Sequence, residues 1–299
     1  MRKIKLIVVV LALSISICSC TSERDNAYSC ENSIEEDILD IDDIFDDDVF
    51  KGYISKNIDI NKDGYLSSNE IMNVTSITIN GLENKDYKGL KSLSGIEYFT
   101  ELNNLTCYMN NLSEIDISKN KNIERLIIGY TKIKDLNIED NTKLVTLDCS
   151  STDIAELNVN KNDQLENLVI AGTKIKKIDL SSLSKLKTFN CAGTNMTEID
   201  LSNNIQLTNL AIDYTNISDI DLSRNLELTN FTCIDAKELK DVDLTNNIDL
   251  ESVYCQRSGI KKLDFSNNPE VFEVECNEDV EIINGDNLSY LQQFPKDYM

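Results

Sequence analysis

The residues best suited to chemistry are six oxygen donors that fall within a window of twelve residues. They are Asp59, Asn61, Asp63, Tyr65 through its carbonyl, Ser67 and Glu70. Carboxylate, amide and carbonyl oxygens are the ligands of hard cations, and Ca²⁺ takes about six to eight of them. Gly64 permits the sharp turn that lets a chain fold around one ion. These residue types therefore predict a hard cation held by oxygen.

The window from Asp59 to Glu70 resembles the EF-hand loop at each diagnostic position. The resemblance implies a calcium site built from these six residues, in which Ser67 acts through a water and Glu70 binds with both carboxylate oxygens. Leu66 stands where such loops place an apolar residue for packing. We find no second loop in the sequence, so the resemblance implies one structural ion at a junction and not a paired sensor lobe. The alternative is an acidic stretch that matches by chance in a chain rich in Asp and Asn.

Composition excludes several function classes. The chain has 299 residues, with 52 acidic and 29 basic side chains, no His and no Trp. Without His there is no Ser-His-Asp or Cys-His catalysis. No other pairing of a nucleophile with a base emerges, so we expect no enzymatic activity. The net charge of −23 would repel phosphate backbones, so we expect no nucleic-acid partner.

The first residues have the layout of an export signal. Arg2, Lys3 and Lys5 precede an apolar run from Leu6 to Ile17 that is short for a membrane span. The run ends in Ile-Cys-Ser-Cys, which resembles the bacterial lipobox. The resemblance implies a signal peptide over 1–19, lipidation of Cys20 and a membrane-anchored lipoprotein at the outer membrane or surface of a Gram-negative bacterium. An ordinary cleaved signal with an incidental Cys is the alternative.

A polar tether over 20–32 leads to a strongly acidic segment over 33–73. Ten acidic residues and no basic one lie between positions 31 and 48. Ile34, Ile38, Ile41 and Phe45 recur at helical spacing, and Ser33 is a favourable N-cap. We therefore predict one acidic amphipathic helix that continues through Asn57 to the calcium loop, and we interpret it as a charged spacer.

Residues 102–280 repeat one sequence pattern every 21 residues, with a single 22-residue step before Leu250. Its first apolar position is occupied by Leu102, Ile123, Leu144, Leu165, Leu186, Leu207, Leu228, Leu250 and Val271. The pattern resembles the leucine-rich repeat. It implies a mostly β solenoid, a horseshoe or arc with a parallel concave sheet and extended convex segments, preceded by the small α-helical EF-hand-like segment. Residues 74–101 and 281–299 are predicted to cap its two ends.

Six of the nine Cys residues share one core position of the repeat: Cys107, Cys149, Cys191, Cys233, Cys255 and Cys276. Coils stack about 4.8 Å apart, so Cys residues in alternate coils are about 10 Å apart, beyond disulfide reach. Cys233, Cys255 and Cys276 lie in adjacent coils, but parallel in-register strands point their Cβ vectors the same way. We predict buried free thiols that pack as small apolar groups. Such repeats resemble the internalin J type of bacterial surface adhesin, although we see no C-terminal wall-sorting signal. Together with the lipobox, the calcium loop and the cap motif at 93–99, they also resemble Bacteroidetes-type lipoproteins. Both resemblances imply a surface location and a binding role.

Three polar rows recur with the same period. Thr131, Thr152, Thr173, Thr194 and Thr215 are predicted to bond neighbouring turns, and Asn120, Asn141, Asn162, Asn204, Asn225, Asn247 and Asn268 to cap the turn into the next coil. Asp116, Asp179, Asp200, Asp221, Asp243 and Asp264 predict a solvated convex face, with weak cation binding as the alternative.

The candidate ligand surface flanks the core positions of the predicted concave strands. It comprises Tyr108, Tyr130, Asp148, Asn190, Tyr214, Tyr254 and Arg257. Tyr gives contact area at low entropic cost, which favours a protein ligand from the host or the envelope. A glycan-binding accessory lipoprotein is the alternative, and the lack of Trp disfavours it.

Overall fold

The computed structural model describes residues 38–285 and 288–295. The predicted signal peptide, the lipidation site Cys20, the tether and the start of the acidic helix at Ser33 and Ile34 lie outside the described residues. Within the part that is described, no helix combines the length and the apolar character needed to cross a membrane.

The N-terminal segment contains short helices and a two-stranded sheet. The helices are α1 (Ile41–Ile44), α2 (Asp48–Asn57) and α3 (Ser68–Met72), and the antiparallel strands are β1 (Leu39–Asp40) and β2 (Tyr65–Leu66). The prediction of one continuous acidic helix is therefore wrong for the described residues. The chain breaks at 45–47 because Asp40 and Asp47 each accept a backbone N–H and cap separate helices.

The interpretation of this segment as a spacer is also wrong, because its apolar side chains close the end of the core. Phe45, Phe50 and Ile54 are fully buried. The ring of Phe45 stacks on Phe99 of the first coil, with centroids 6.2 Å apart. The free carboxylate oxygen of Asp47 accepts the backbone N–H of Lys91 at 2.9 Å. The segment therefore covers apolar surface that the first coil would otherwise expose.

The rest of the chain winds into coils that share one parallel sheet of eleven strands. The strands are β3 (Ser76–Asn80), β4 (Asn104–Tyr108), β5 (Arg125–Ile127), β6 (Thr146–Asp148), β7 (Asn167–Val169), β8 (Thr188–Asn190), β9 (Asn209–Ala211), β10 (Asn230–Thr232), β11 (Ser252–Tyr254), β13 (Glu273–Asn277) and β15 (Tyr290–Phe294), while β12 (Lys262–Asp264) and β14 (Glu281–Ile283) pair separately. Two 3-10 helices, Lys85–Gly89 and Ile96–Tyr98, lie before β4. This confirms the predicted repeat solenoid.

The register explains why the sheet grows by one strand per coil. Equivalent residues pair across each junction, as Leu126 does with Leu147 and Leu147 with Leu168. The central residue of each short strand is buried and its two neighbours point outward. Each coil alone would expose this apolar residue, so stacking builds one continuous core.

Each coil returns through a second extended segment about half a coil after its strand. After β4 this segment covers residues 115–117, of which Ile117 is buried. Only β12 and β14 form a ladder on this side of the described chain. No backbone hydrogen bond joins the equivalent segments 134–138, 155–159 and 176–180. We call the outward side chains of the eleven strands the strand face, and those of the return segments the back face.

Candidate functional site

The predicted calcium loop is folded around its own carboxylates. Asp59 accepts the backbone N–H groups of Lys62 at 2.7 Å and Gly64 at 3.1 Å. Glu70 accepts the N–H of Ile60 with one oxygen and that of Ser67 with the other. Asp59 and Glu70 are 4% and 8% exposed, so both ends of the loop carry buried carboxylates.

The centre of the loop is more open. The exposed Asn61 donates to a carboxylate oxygen of Asp63 at 2.9 Å, and the other oxygen of Asp63 accepts the N–H of Tyr65. Lys62 and Gly64 make the turn with φ of 61° and 85°. Throughout the described chain, no three or more His, Cys, Asp or Glu residues are grouped closely enough to hold a metal ion. The carboxylates of the described loop therefore do not converge as a metal-holding group, and hydrogen bonds to the loop's own backbone occupy part of their lone pairs.

Hydrogen bonds keep the Glu70 carboxylate ionised. Burial raises the pKa of this carboxyl, but hydrogen bonds from Ser67 and from the backbone of Ile60 and Asn61 lower it by more. The pKa therefore lies below its ordinary value. An ionised Glu70 is the form that a cation requires.

The strand face is a continuous surface with few charges. From β7 to β11 its outward residues are all uncharged, and Asp148 before them and Glu273 after them are the nearest charged positions on the strands. Of the candidate residues, Asp148 and Asn190 accept the backbone N–H two residues later, so each also shapes the turn after its strand. A hydrogen bond with Glu273, together with burial, raises the pKa of Tyr254 to about 12.

One residue per coil, just beyond the strand, has a left-handed backbone. These residues, which we call the carboxyl-edge row, are Met109, Tyr130, Ser151, Gly172, Gly193, Tyr214, Asp235 and Arg257, with φ between 52° and 68°. The backbone N–H of Tyr130 donates to Ser150 of the next coil at 2.8 Å, and Tyr214 donates equivalently to Ile234. The left-handed turn therefore prolongs the inter-coil hydrogen bonding past the strand. Sequence reasoning missed this row, although Gly172 and Gly193 at equivalent positions were a signal for it.

The candidate ligand residues collect into two clusters at this edge. In the first, the rings of Tyr108 and Tyr130 meet edge to face with centroids 5.3 Å apart. In the second, the guanidinium of Arg257 donates to Asp235 at 2.7 Å and to the Tyr214 hydroxyl at 3.0 Å. A shallow cavity of about 170 Å³ adjoins the second cluster. Asp148, Asn190 and Tyr254 lie on the strands and belong to neither cluster.

The Thr and Asn rows have roles that differ from those predicted. Each Thr hydroxyl donates within its own coil, as Thr152 does to the carbonyl of Cys149 at 2.7 Å. The Asn side chains instead join neighbouring coils. The amide of Asn141 donates to the carbonyls of Ile117 at 3.1 Å and Asn120 at 2.9 Å. The Asn row is therefore the inter-coil ladder, because an uncharged amide NH₂ can donate to two carbonyls at once, whereas a Thr hydroxyl donates to one.

The Asp row closes turns on the back face. Asp116, Asp179, Asp200, Asp221, Asp243 and Asp264 each accept the backbone N–H of the residue two positions later. Hydrogen bonds from the side chain and backbone of Ser181 and Ser202 lower the pKa of Asp179 and Asp200. These carboxylates remain exposed and ionised, which gives the back face its negative charge.

The six repeat Cys residues are free and buried. Burial raises the pKa of Cys149 and Cys191 to about 12, so these thiols stay protonated and unreactive at neutral pH. Burial also raises the pKa of Cys107. These observations agree with the predicted packing of thiols as small apolar groups.

Comparison with known proteins places the fold among the leucine-rich repeats. The functional domain of InlJ from Listeria monocytogenes, described as including a cysteine ladder, aligns with a TM-score of 0.61 at 21% identity over 86% of this chain and 71% of that chain. Internalin C2 from the same organism aligns with a TM-score of 0.68 at 21% identity over 75% of this chain and 99% of that chain. No protein-family model matches the sequence, and the search of curated proteins gave no match either. The chain thus has the internalin-like leucine-rich repeat fold.

Proposed function

We propose that this protein is a cell-envelope lipoprotein that binds a protein ligand through the strand face and the carboxyl-edge row. The ligand is a protein of the host surface or of the envelope itself. The role is adhesin-like or that of a component in an envelope complex, without catalysis. One structural calcium ion in the loop from Asp59 to Glu70 completes the proposal.

The observation that carries the binding role is the exposed aromatic residues in the carboxyl-edge row. Tyr130 and Tyr214 are 49% and 56% exposed although their backbones are left-handed. A non-Gly residue in that conformation costs about 1–2 kcal/mol, and Gly at the same position avoids the cost, as at Gly172 and Gly193. The chain keeps large exposed side chains at these positions despite the loss of stability. This supports a role for them in contacting a ligand. The hydrogen-bonded sheet holds them rigidly, which lowers the entropic cost of binding.

Photo-crosslinking in the full chain tests which face makes the contact. A photo-reactive phenylalanine analogue in place of Tyr214 should give discrete protein adducts on intact cells or host extracts. The same analogue in place of the exposed Lys143 should give none. Equal adducts from both positions would remove the support for this surface. Binding of the chain to one dominant class on a glycan array would favour the alternative, a glycan-binding accessory lipoprotein, over a protein ligand.

The lipid anchor is supported by the sequence from Arg2 to Cys20. Labelling of the full chain with a radioactive fatty acid in an exporting bacterium tests it. Cys20→Ser should abolish incorporation, and Cys18→Ser should leave it intact. Label that survives Cys20→Ser would exclude this residue as the anchor.

The calcium site is supported by the buried carboxylates of Asp59 and Glu70 and by the exposed oxygens of Asn61 and Asp63. Calorimetric titration of the full chain should show one site. Asp59→Ala and Glu70→Ala should abolish it. Asp63→Asn, at an exposed position that tolerates change, should weaken it about tenfold by removing one ligand charge. Asp140→Asn, outside the loop, is the matched control. Unchanged binding in the loop variants would contradict the site.

A further inference from the structure

The back face carries a long groove that the proposed function does not use. The cavity has a volume of about 1110 Å³ and crosses five consecutive coils. Its floor is one apolar residue per coil: Ile115, Leu136, Leu157, Ile178 and Ile199. We call this surface the back groove.

The floor is apolar and only partly covered. Leu136 and Leu157 keep 9% and 8% of their surface exposed, and Ile115, Ile178 and Ile199 are half-buried. At the strand spacing of about 4.8 Å, five coils span about 19 Å, which matches about six residues of an extended chain. The groove therefore has the length and the floor for a short extended peptide.

The walls of the back groove are acidic. Glu114, Asp135, Glu156 and Glu198 precede the floor residues in their coils, and Asp179 and Asp200 follow them. Glu139 adds a further carboxylate, and Lys134 and Lys177 offset part of the charge, with the ammonium group of Lys177 2.7 Å from Glu198. The outward strand residues of the same coils include one charge of each sign, Arg125 and Asp148, so the strands add no net negative charge. Such walls repel anionic ligands and attract cationic ones.

We propose that the back groove binds an extended segment of a partner protein in which basic residues alternate with apolar ones. The apolar side chains cover the floor, which a lone inorganic cation would leave exposed to water. The Lys or Arg side chains reach the carboxylates on the two walls and bury their stems along the floor. Binding here is independent of the strand face and adds a second interaction surface.

Fluorescence anisotropy with the full chain, purified in a non-ionic detergent, tests the proposal with synthetic peptides of twelve residues. A labelled peptide of alternating Lys and Val is the probe. A Lys and Ser peptide of equal charge isolates the role of the floor, and a Glu and Val peptide isolates the charge. We expect the Lys and Val peptide to bind at least about tenfold more tightly than either.

Matched charge variants locate the site. Glu114→Gln, Glu156→Gln and Glu198→Gln combined should weaken the Lys and Val peptide about tenfold, because three wall charges are removed. Asp140→Asn, Glu227→Gln and Glu238→Gln remove three exposed charges elsewhere and should change affinity less than about twofold. Equal weakening by both triples, equal affinity for the Lys and Ser peptide, or no binding at all would overturn the proposal. All six positions are exposed, so neither triple is expected to unfold the chain.

Discussion

The strand face and the back face belong to the same coils, but they are fixed by different interactions. The strand face has a continuous parallel ladder that the carboxyl-edge row prolongs. The middle of the back face has no such ladder and depends on side chains, with the Asn row between coils and the Asp row within turns. From β7 to β11 the fully bonded strands present uncharged side chains, and exposed aromatic residues lie in the row beside them. Where the backbone has no such ladder, the surface is acidic and grooved.

This difference shows how a repeat can carry two surfaces of opposite character. The ladder fixes the strand backbone whatever residues point outward, so Tyr130 and Tyr214 can occupy unfavourable conformations there. On the back face, the Asn and Asp rows that maintain the structure must recur in every coil. Only the residues of the groove walls are then free to differ from coil to coil. We therefore expect changes to the Asn row to affect folding, and changes to the carboxyl-edge row to affect binding.

The largest effect is expected from Asn162→Asp, which keeps the shape of a ladder residue. The amide of Asn162 donates to the carbonyls of Ile138 at 3.0 Å and Asn141 at 2.9 Å, and the residue is fully buried. A carboxylate cannot donate and brings a charge into the core, so we expect a loss of at least about 3 kcal/mol in unfolding free energy. Urea unfolding measures it.

The natural break in the Asn row supplies the control. Leu183 occupies the ladder position, and no side-chain amide donates from it. Leu183→Asn extends the ladder and should cost much less than Asn162→Asp. Equal losses in both variants would show that amide donors at this position give no specific stability, and would remove the distinction between the faces.

An intermediate effect is expected beneath the strand face at Cys191. The side chain is fully buried, and its neighbours in the column are Ile170 and Ile212. Cys191→Ala leaves a small cavity and should cost about 1 kcal/mol. Cys191→Ser buries a more polar group, and its shorter C–O bond sets the hydroxyl farther from the Ala211 carbonyl that the thiol reaches at 3.6 Å, so it should cost more, about 1–3 kcal/mol. A Ser variant as stable as the Ala variant would contradict an apolar role for the thiol.

A smaller effect is expected when the back face is acidified. The pKa values of Asp179 and Asp200 are lower in the folded chain than in the unfolded one, so the turns they cap add stability above about pH 4. That contribution is lost as pH falls through the folded pKa values. Combined Asp179→Asn and Asp200→Asn keep the capping oxygen without titrating. Urea unfolding from pH 7 to pH 3 should show a shallower decline in the double variant, and identical slopes would refute the assignment.

Much of the fold was predictable because the solenoid is dictated by period. The spacing of Leu102, Ile123 and Leu144 fixed the coils, and the Cys column predicted buried thiols. The Thr and Asn roles were exchanged because spacing gives the position of a polar side chain and not its hydrogen-bond partner. The acidic helix was wrong because Asp40 and Asp47 were counted as charges when they act as caps.

The candidate surface was less predictable. The sequence indicated Tyr130, Tyr214 and Arg257 as exposed, but only the structure shows that they share one left-handed row. The trace of the left-handed backbone in the sequence is glycine at two equivalent positions, Gly172 and Gly193, while the non-Gly members of the row give no such signal. The back groove was missed for a related reason, since its floor and walls come from five coils and its depth depends on how their return segments pack.

The most direct test of the central claim compares stability with binding in one set of variants. Tyr130→Gly combined with Tyr214→Gly relieves two left-handed backbones, with Ser151→Gly as the control in the same row. Unfolding free energy should stay within about 1 kcal/mol of the wild type in both, because in the double variant the relieved strain is offset by loss of the ring contact with Tyr108 and of the hydrogen bond from Arg257. Crosslinking of the ligand through the analogue at Tyr108 should fall at least about tenfold in the double variant alone. A double variant that is clearly less stable and crosslinks as well as the wild type would contradict the claim that the carboxyl-edge row exists for binding.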